Sequence, residues 1–143
     1  MIINFRLDKV HSEKKNAPRG NIEAKNNLRV TNIEEESLSS LSKEKALNVY
    51  FSFVVEYQPK IANIEIEGSI TYLTDQKVVK EILDNWQKNK KIKPEIAAPI
   101  FNYILSKCSV KALRLEEELE LPFHIPIPKI KQKEEISSSL KAS

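Results

Sequence analysis

The sequence predicts an α+β domain in which a four-stranded antiparallel sheet has one face covered by two C-terminal helices. Two observations lead to this fold class. Through the first half of the chain, apolar and polar residues alternate with a period of two, as they do in strands that bury one face. Through the second half, apolar residues recur at intervals of three and four, the spacing of an amphipathic helix. A sheet with one apolar face needs a cover, which the helices are expected to supply.

Composition agrees with a single domain. The chain has 143 residues, of which 41% are apolar and 30% are charged, as in soluble globular proteins. Lys and Arg number 23 against 20 Asp and Glu, and the resulting net charge of +3 is too small to require a nucleic-acid partner. A single cysteine excludes an intrachain disulfide framework.

The first two predicted strands have short inner rows. The apolar residues of the first are Ile3, Phe5 and Leu7. Those of the second are Ile22, Ala24, Leu28 and Val30, and Asn26 interrupts this row. The polar, serine-rich segment from Glu34 to Lys45 is then expected to form a long connection.

The next two strands carry the strongest signal, because β-branched and aromatic residues stand at every second position. The inner row of the third strand, within 47–57, is Val49, Phe51, Phe53, Val55 and Tyr57. The inner row of the fourth, within 61–73, is Ile64, Ile66, Gly68, Ile70 and Tyr72. Residues 58–60 allow only a short connection, so these two strands are predicted to be antiparallel neighbours.

Two helices follow the strands. Thr74 is predicted to cap the first helix, whose apolar stripe is Val78, Val79, Ile82, Leu83 and Trp86. Pro94 opens the second, and Pro99 marks either its true start or a kink. Three prolines make the segment 121–128 extended rather than helical. We expect one domain over residues 1–128 and a polar, flexible tail over 129–143.

The residue types that carry catalysis are scarce. His11 and His124 lie in different segments, and nothing in the sequence brings them together or beside a nucleophile. Cys108 falls on the apolar side of a helix, where a buried thiol is usual. Two runs of glutamate, 34–36 and 116–118, are expected to be solvated. We therefore expect no enzyme, no cofactor and no metal site.

A cluster of lysines supports an alternative function. Its members are Lys77, Lys80, Lys88, Lys90, Lys91 and Lys93, with Trp86 nearby. A ribosome or nucleic-acid partner would favour such a basic patch. Glu81 and Asp84 interrupt the cluster, so a solvated helix face is the favoured interpretation and nucleic acid is not the expected partner.

Two apolar features need a different explanation. Tyr50 and Val54 stand in the otherwise polar row of the third strand, which suggests that the same chain or another subunit covers part of that face. Phe123, Ile125 and Ile127 lie on the proline-rich extended segment. They either dock on the domain or line an exposed groove or interface.

The order of these elements resembles the SecB family of export chaperones. The resemblance spans residues 2–128. It is carried by the opening strand 5–10, by Asn16-Ala17-Pro18, by the Pro-x-Ile-x-x-Pro pattern of residues 94–99, and by the Leu- and Pro-rich segment 115–128.

This resemblance implies an ATP-independent holdase, a homotetramer or homodimer that binds unfolded polypeptides in apolar grooves, as in protein export. The groove residues would then be Tyr50, Val54, Phe123, Ile125 and Ile127. The positive net charge argues against a SecA-type motor as partner, because the family engages that motor through an acidic surface. A general chaperone, a toxin–antitoxin-associated relative and a structural subunit of a larger assembly remain open.

The expected location is the cytoplasm, without membrane insertion. The opening residues include Asn4, Arg6 and Asp8, which a signal peptide would not tolerate. The longest apolar run, 96–101, contains a proline and is far shorter than the roughly 20 residues of a membrane span.

Overall fold

The computed structural model describes residues 1–36 and 44–128. Its elements are β1 (Ile2–Lys14), β2 (Glu23–Glu36), β3 (Glu44–Gln58), β4 (Ala62–Asp75), α1 (Gln76–Asn89) and α2 (Pro94–Glu118). The predicted fold class, four antiparallel strands followed by two helices, is confirmed. The predicted connection 34–45 is shorter than expected, because β2 continues to Glu36 and β3 begins at Glu44. Its remainder and the predicted tail lie outside the described residues.

The strands are arranged in the order β1-β4-β3-β2, and every neighbouring pair is antiparallel. The predicted hairpin between the third and fourth strands is confirmed, with Tyr57 opposite Ala62 at its closed end. β1 pairs with β4 and not with β2, so β1 and β2 form the two edges of the sheet. The strands with the strongest apolar pattern therefore occupy its centre.

One face of the sheet and the two helices enclose the core. The inner rows of β3 and β4 are buried as predicted except for Tyr72, which is partly exposed, and Phe53, Val55, Ile64, Ile66 and Ile70 have no exposed surface. Helix α1 contributes Val79, Ile82 and Trp86. Helix α2 contributes residues spaced by four, namely Ile100, Ile104, Cys108, Ala112 and Glu116. This spacing makes the buried line of α2 wind slowly around the helix, because four residues exceed one turn.

The predicted inner row of β1 is wrong in part. Phe5 packs as expected, and its ring stacks on Phe51 with centroids 5.6 Å apart. Ile3 and Leu7 are 50% and 39% exposed. Irregularities in the pairing with β4, after Ile2 and after Leu7, interrupt the simple alternation that the prediction assumed.

The helix starts differ slightly from the prediction. Asp75, and not Thr74, is the N-cap of α1, since its carboxylate accepts a hydrogen bond of 3.0 Å from the Val78 N–H. Helix α2 begins at Pro94 and continues through Pro99 to Glu118. The alternative in which the helix starts only near Pro99 is therefore excluded.

Beyond α2, residues 121–128 form what we call the C-terminal strip. The chain turns at Glu120, which has a φ of 55°, and Leu121 is buried. The Glu116 carboxylate accepts hydrogen bonds from the backbone N–H of His124, at 2.9 Å, and from its ring Nδ1, at 2.7 Å. The Tyr57 hydroxyl donates to the Pro122 carbonyl oxygen. These contacts hold the strip against the body of the domain.

The burial of Glu116 corrects the expectation that all of 116–118 is solvated. The side chains of Glu116 and His124 are 0% and 1% exposed. Glu116 is buried because it follows Ala112 by four residues and so continues the inward line of α2. Its charge is compensated where it lies, by the imidazole and a backbone N–H of the strip.

The replacement Gly68→Ala should loosen the β1 edge. A Cβ at Gly68 would overlap the Arg6 carbonyl oxygen of β1 and lie 3.0 Å from the Phe51 ring. We expect a loss of about 1–3 kcal/mol in the free energy of unfolding, as for other overpacked sites. Urea denaturation would measure the loss, and hydrogen exchange should show that it weakens the amides of β1. An unchanged unfolding midpoint would contradict the close approach of β1 to Gly68.

The replacement Glu116→Gln should release the strip. It replaces the carboxylate by a neutral amide with one acceptor oxygen for the two N–H donors of His124, and a buried donor left without a partner costs about 1–3 kcal/mol. Faster proteolysis within 121–128 and a lower urea midpoint are expected. Glu117→Gln is the matched control, because Glu117 is exposed on the same helical turn. Equal stability of the two variants would rule out a structural role for the Glu116–His124 contact.

Candidate functional site

Two hollows open side by side along the edge strand β2. The first has a volume of ≈ 1190 Å³ and lies between the start of β2 and the C-terminal strip. Its walls include Ile22 and Ala24 of β2 on one side. The strip supplies the other wall, and the three apolar residues predicted for a groove, Phe123, Ile125 and Ile127, all line it. The structure therefore places three of the five predicted groove residues together.

The strip is irregular, and it bends at His124 and Ile125. The His124 side chain turns into the domain, where its ring meets the Phe53 ring edge-on, with centroids 5.9 Å apart. Phe123 and Ile127, on either side of the bend, are 45% and 46% exposed. The strip thus buries the His124 side chain and leaves these two apolar side chains accessible.

The second hollow lies further along β2, where the end of α1 and the start of α2 approach the strand. Its volume is ≈ 800 Å³. The apolar residues that line it are Leu28, Val30, Trp86, Ile92, Pro94, Ala97 and Phe101. The sequence pattern placed Leu28 and Val30 on the inner row of β2. It did not reveal that the helices leave this part of the row open.

Two lysines stand at the rim of the second hollow. Lys90 and Lys91 line it, and none of its described lining residues is acidic. Arg29 also borders it, but this residue belongs to the outer row of β2, opposite Ser52. The Lys90 ammonium lies 5.1 Å from the centre of the Trp86 ring. The hollow therefore combines an apolar lining with positive charge at its rim.

The predicted basic patch is divided in the structure. Two of its six lysines, Lys90 and Lys91, line the second hollow. Lys93 forms an ion pair with Glu81, and Lys80 lines a separate small hollow beside Asp84. The lysines thus lie in different environments, and two of them lie next to acidic side chains.

Tyr50 and Val54 lie on the opposite face of the sheet from the two hollows. In the register of β3 they stand across from Ser69 and Glu65 of β4, on the polar row. The Tyr50 hydroxyl lies 3.4 Å from the Glu34 carboxylate. Within residues 1–36 and 44–128, no helix packs on this face. A single copy of the chain therefore does not join these two residues to the strip.

The nucleophiles and bases considered in the sequence are dispersed. Cys108 is buried, and this burial raises the pKa of its thiol to about 12, so that the thiolate is not formed near neutral pH. His11 lies on β1 beside Glu13, at 3.6 Å, whereas His124 is enclosed with Glu116. In the described part of the chain, no group of three or more His, Cys, Asp or Glu could hold a metal ion.

Burial also affects the tyrosine next to the strip. It raises the pKa of Tyr57 well above the ordinary value, and the nearby charge of Glu116 acts in the same direction. Tyr57 therefore keeps its proton and remains a donor to the strip.

None of the helices described is long and apolar enough to cross a membrane.

Comparison with known proteins supports the fold. No family model matches the sequence, and no curated protein matches it. The structure is similar to that of a SecB-like chaperone of Mycobacterium tuberculosis, solved in complex with a ChAD peptide from the HigA1 antitoxin. The TM-score is 0.55 and the sequences are 11% identical, and the similarity covers 90% of this chain and 89% of the other. The chain therefore has a SecB-like fold.

Proposed function

We propose that the protein is an ATP-independent chaperone that holds unfolded polypeptides along β2. The observation that carries this proposal is the pair of apolar hollows on one edge strand, one of them walled by a strip whose apolar side chains point outward. An unfolded client presents apolar side chains at irregular intervals on an extended backbone. Two separate hollows can each accept one such side chain without requiring a fixed sequence between them.

The spacing of the hollows suits an extended client. Ala24 lines the first and Val30 the second, so about 20 Å of strand separates them at roughly 3.3 Å per residue. β2 is the last strand in the sheet order, with no described strand beyond it. Its outer N–H and C=O groups are therefore available to hydrogen-bond a client backbone, whatever the client's side chains.

The fold adds support at a coarser level. The similar protein of Mycobacterium tuberculosis is a SecB-like chaperone with a peptide bound to it. For the chain described here, peptide binding is the proposal. Its location in the cytoplasm and its action on many clients, without a SecA-type motor, are parts of the same proposal. The net charge of +3 favours a chaperone that acts without a SecA-type motor over one that engages such a motor through an acidic surface.

We also propose that the chaperone is a homo-oligomer. β1 is the other edge of the sheet, and its apolar residues Ile3, Leu7 and Val10 are 50%, 39% and 40% exposed. An edge strand of this length with apolar side chains tends to acquire a partner. Several copies would also multiply the hollows, so that weak contacts with one client add up.

Suppression of aggregation tests the holdase directly. An unfolded client diluted into buffer without ATP should scatter less light when the protein is present at near-stoichiometric amounts. Phe123→Asp should raise the amount needed by about tenfold, because it places a charge in an apolar contact. Leu105→Asp is the matched control, since Leu105 is 39% exposed on α2 and lines neither hollow. Absence of suppression by the unaltered protein would refute the proposed function.

The oligomer has its own test. Light scattering after size-exclusion chromatography should give a mass of a dimer or tetramer at micromolar concentration. Leu7→Glu combined with Val10→Glu should shift the mass towards the monomer, because both side chains lie exposed on β1. A monomer for the unaltered protein would contradict this part of the proposal. Purification of one stoichiometric partner of another sequence would instead favour a structural subunit.

A further inference from the structure

We propose that the second hollow selects client segments in which an apolar side chain is flanked by acidic residues. This inference rests on the proposed function and adds to it a preference among clients. The occupant is an extended polypeptide whose apolar side chain enters between β2 and the helices. Its carboxylates would meet the cations at the rim.

Charge complementarity is the first argument. Lys90 and Lys91 line the hollow just after the end of α1. Arg29 belongs to the outer row of β2, opposite Ser52 of β3, and is not counted among the rim cations. Neither lysine forms an ion pair with a described residue, whereas the nearby Lys93 is already paired with Glu81. The two rim lysines therefore remain available for carboxylates of a bound segment.

The position of Lys90 is the second argument. Trp86 is 7% exposed, and the Lys90 ammonium lies 5.1 Å from the centre of its ring. The contact holds a positive charge next to the apolar lining of the hollow. A segment that carries a carboxylate beside an apolar side chain suits this arrangement.

The shape of the hollow favours polypeptide over nucleic acid. Seven of its eleven lining residues are apolar. Single-stranded nucleic acid is bound by several accessible aromatic faces along a basic groove, whereas here Trp86 is buried beneath Lys90 and Phe101 is half-buried. The free edge of β2 beside the hollow matches the hydrogen-bonding period of an extended peptide, not that of a phosphate backbone.

A set of three labelled peptides tests the preference. They share one apolar core and carry Glu, Gln or Lys on both sides of it, and each has about ten residues so that it can span both hollows. Affinity is measured by fluorescence anisotropy. Trp86 is the one tryptophan in the sequence, so its emission reports occupation of the second hollow independently of the label.

The Glu peptide should bind about five- to tenfold more tightly than the Gln peptide, and the Lys peptide more weakly than either. Added salt should reduce the difference, because the rim cations are exposed. The emission of Trp86 should change when the Glu peptide occupies the second hollow. Binding that does not distinguish the Glu peptide from the Gln peptide should leave this emission unchanged.

Variants locate the effect. Lys90→Gln combined with Lys91→Gln should bring the affinities of the Glu and Gln peptides to within about twofold of each other. Lys77→Gln combined with Lys88→Gln is the matched control, because it removes the same charge from α1 at positions that do not line the hollow. The control should keep the preference. If both double variants lose it equally, the net charge and not the hollow is responsible, and the inference is overturned.

Two other results would also overturn it. Equal affinities for the Glu and Lys peptides, with the Gln peptide still bound, would remove the acidic preference and leave the chaperone function standing. The inference would also fail if a short single-stranded RNA bound with comparable affinity, displaced the Glu peptide and changed the emission of Trp86. That result would assign the hollow to nucleic acid. Failure of all three peptides to bind, together with no suppression of aggregation, would remove the proposed function itself.

Discussion

Glu116 accepts two hydrogen bonds from His124 at a place where neither side chain meets solvent, and the position of the C-terminal strip depends on this contact. Without it, the strip would be held by Leu121, by the Tyr57–Pro122 hydrogen bond and by the contact of the His124 ring with Phe53. The first hollow has the strip as one of its walls, so a polar contact inside the domain shapes an apolar surface outside it. A buried ion pair adds little net stability in general, but it is specific about geometry. Here that geometry decides which side chains of the strip face outward.

The two hollows are lined by different kinds of side chain, which would not be expected along a single continuous groove. The first is bounded by the proline-rich strip, and Glu23 is the charged carboxylate in its lining. The second is bounded by two helices and carries Lys90 and Lys91 at its rim. They share one strand, and β2 provides a continuous backbone edge between them. In the proposed function this arrangement separates two tasks: the strand edge would bind all extended chains alike, whereas the side chains around each hollow would distinguish among them.

The parts that the sequence predicted well are those governed by local periodicity. Alternation in 47–57 and 61–73 was sufficient for the central hairpin, because both strands are buried in the middle of the sheet and follow the ideal pattern. β1 departs from its prediction since pairing irregularities near Leu7 change which residues face the helices. The strip residues were singled out by their apolar character, and their role in binding stays a prediction. Tyr50 and Val54 lie on the polar row of β3, as the alternation predicted. The burial of Glu116 was missed because a run of three glutamates is typical of a solvated surface. The feature of the sequence that indicates its burial is its position four residues after Ala112, on the inward line of α2. The second hollow depends on how closely helices approach β2, and periodicity carries no information on that distance.

The strand order has a consequence for the synthesis of the protein. Both edges of the sheet are encoded in the first 36 residues, but their partners are β3 and β4, which emerge later. Phe5, for example, pairs with Ile70, which is 65 residues further along the chain. At about 5–20 residues per second on the ribosome, β1 waits for several seconds with its apolar side chains uncovered. During that interval the nascent chain is itself an extended segment with intermittent apolar residues, the same kind of molecule that the finished protein is proposed to hold. An existing copy is thus among the first partners available to a new one.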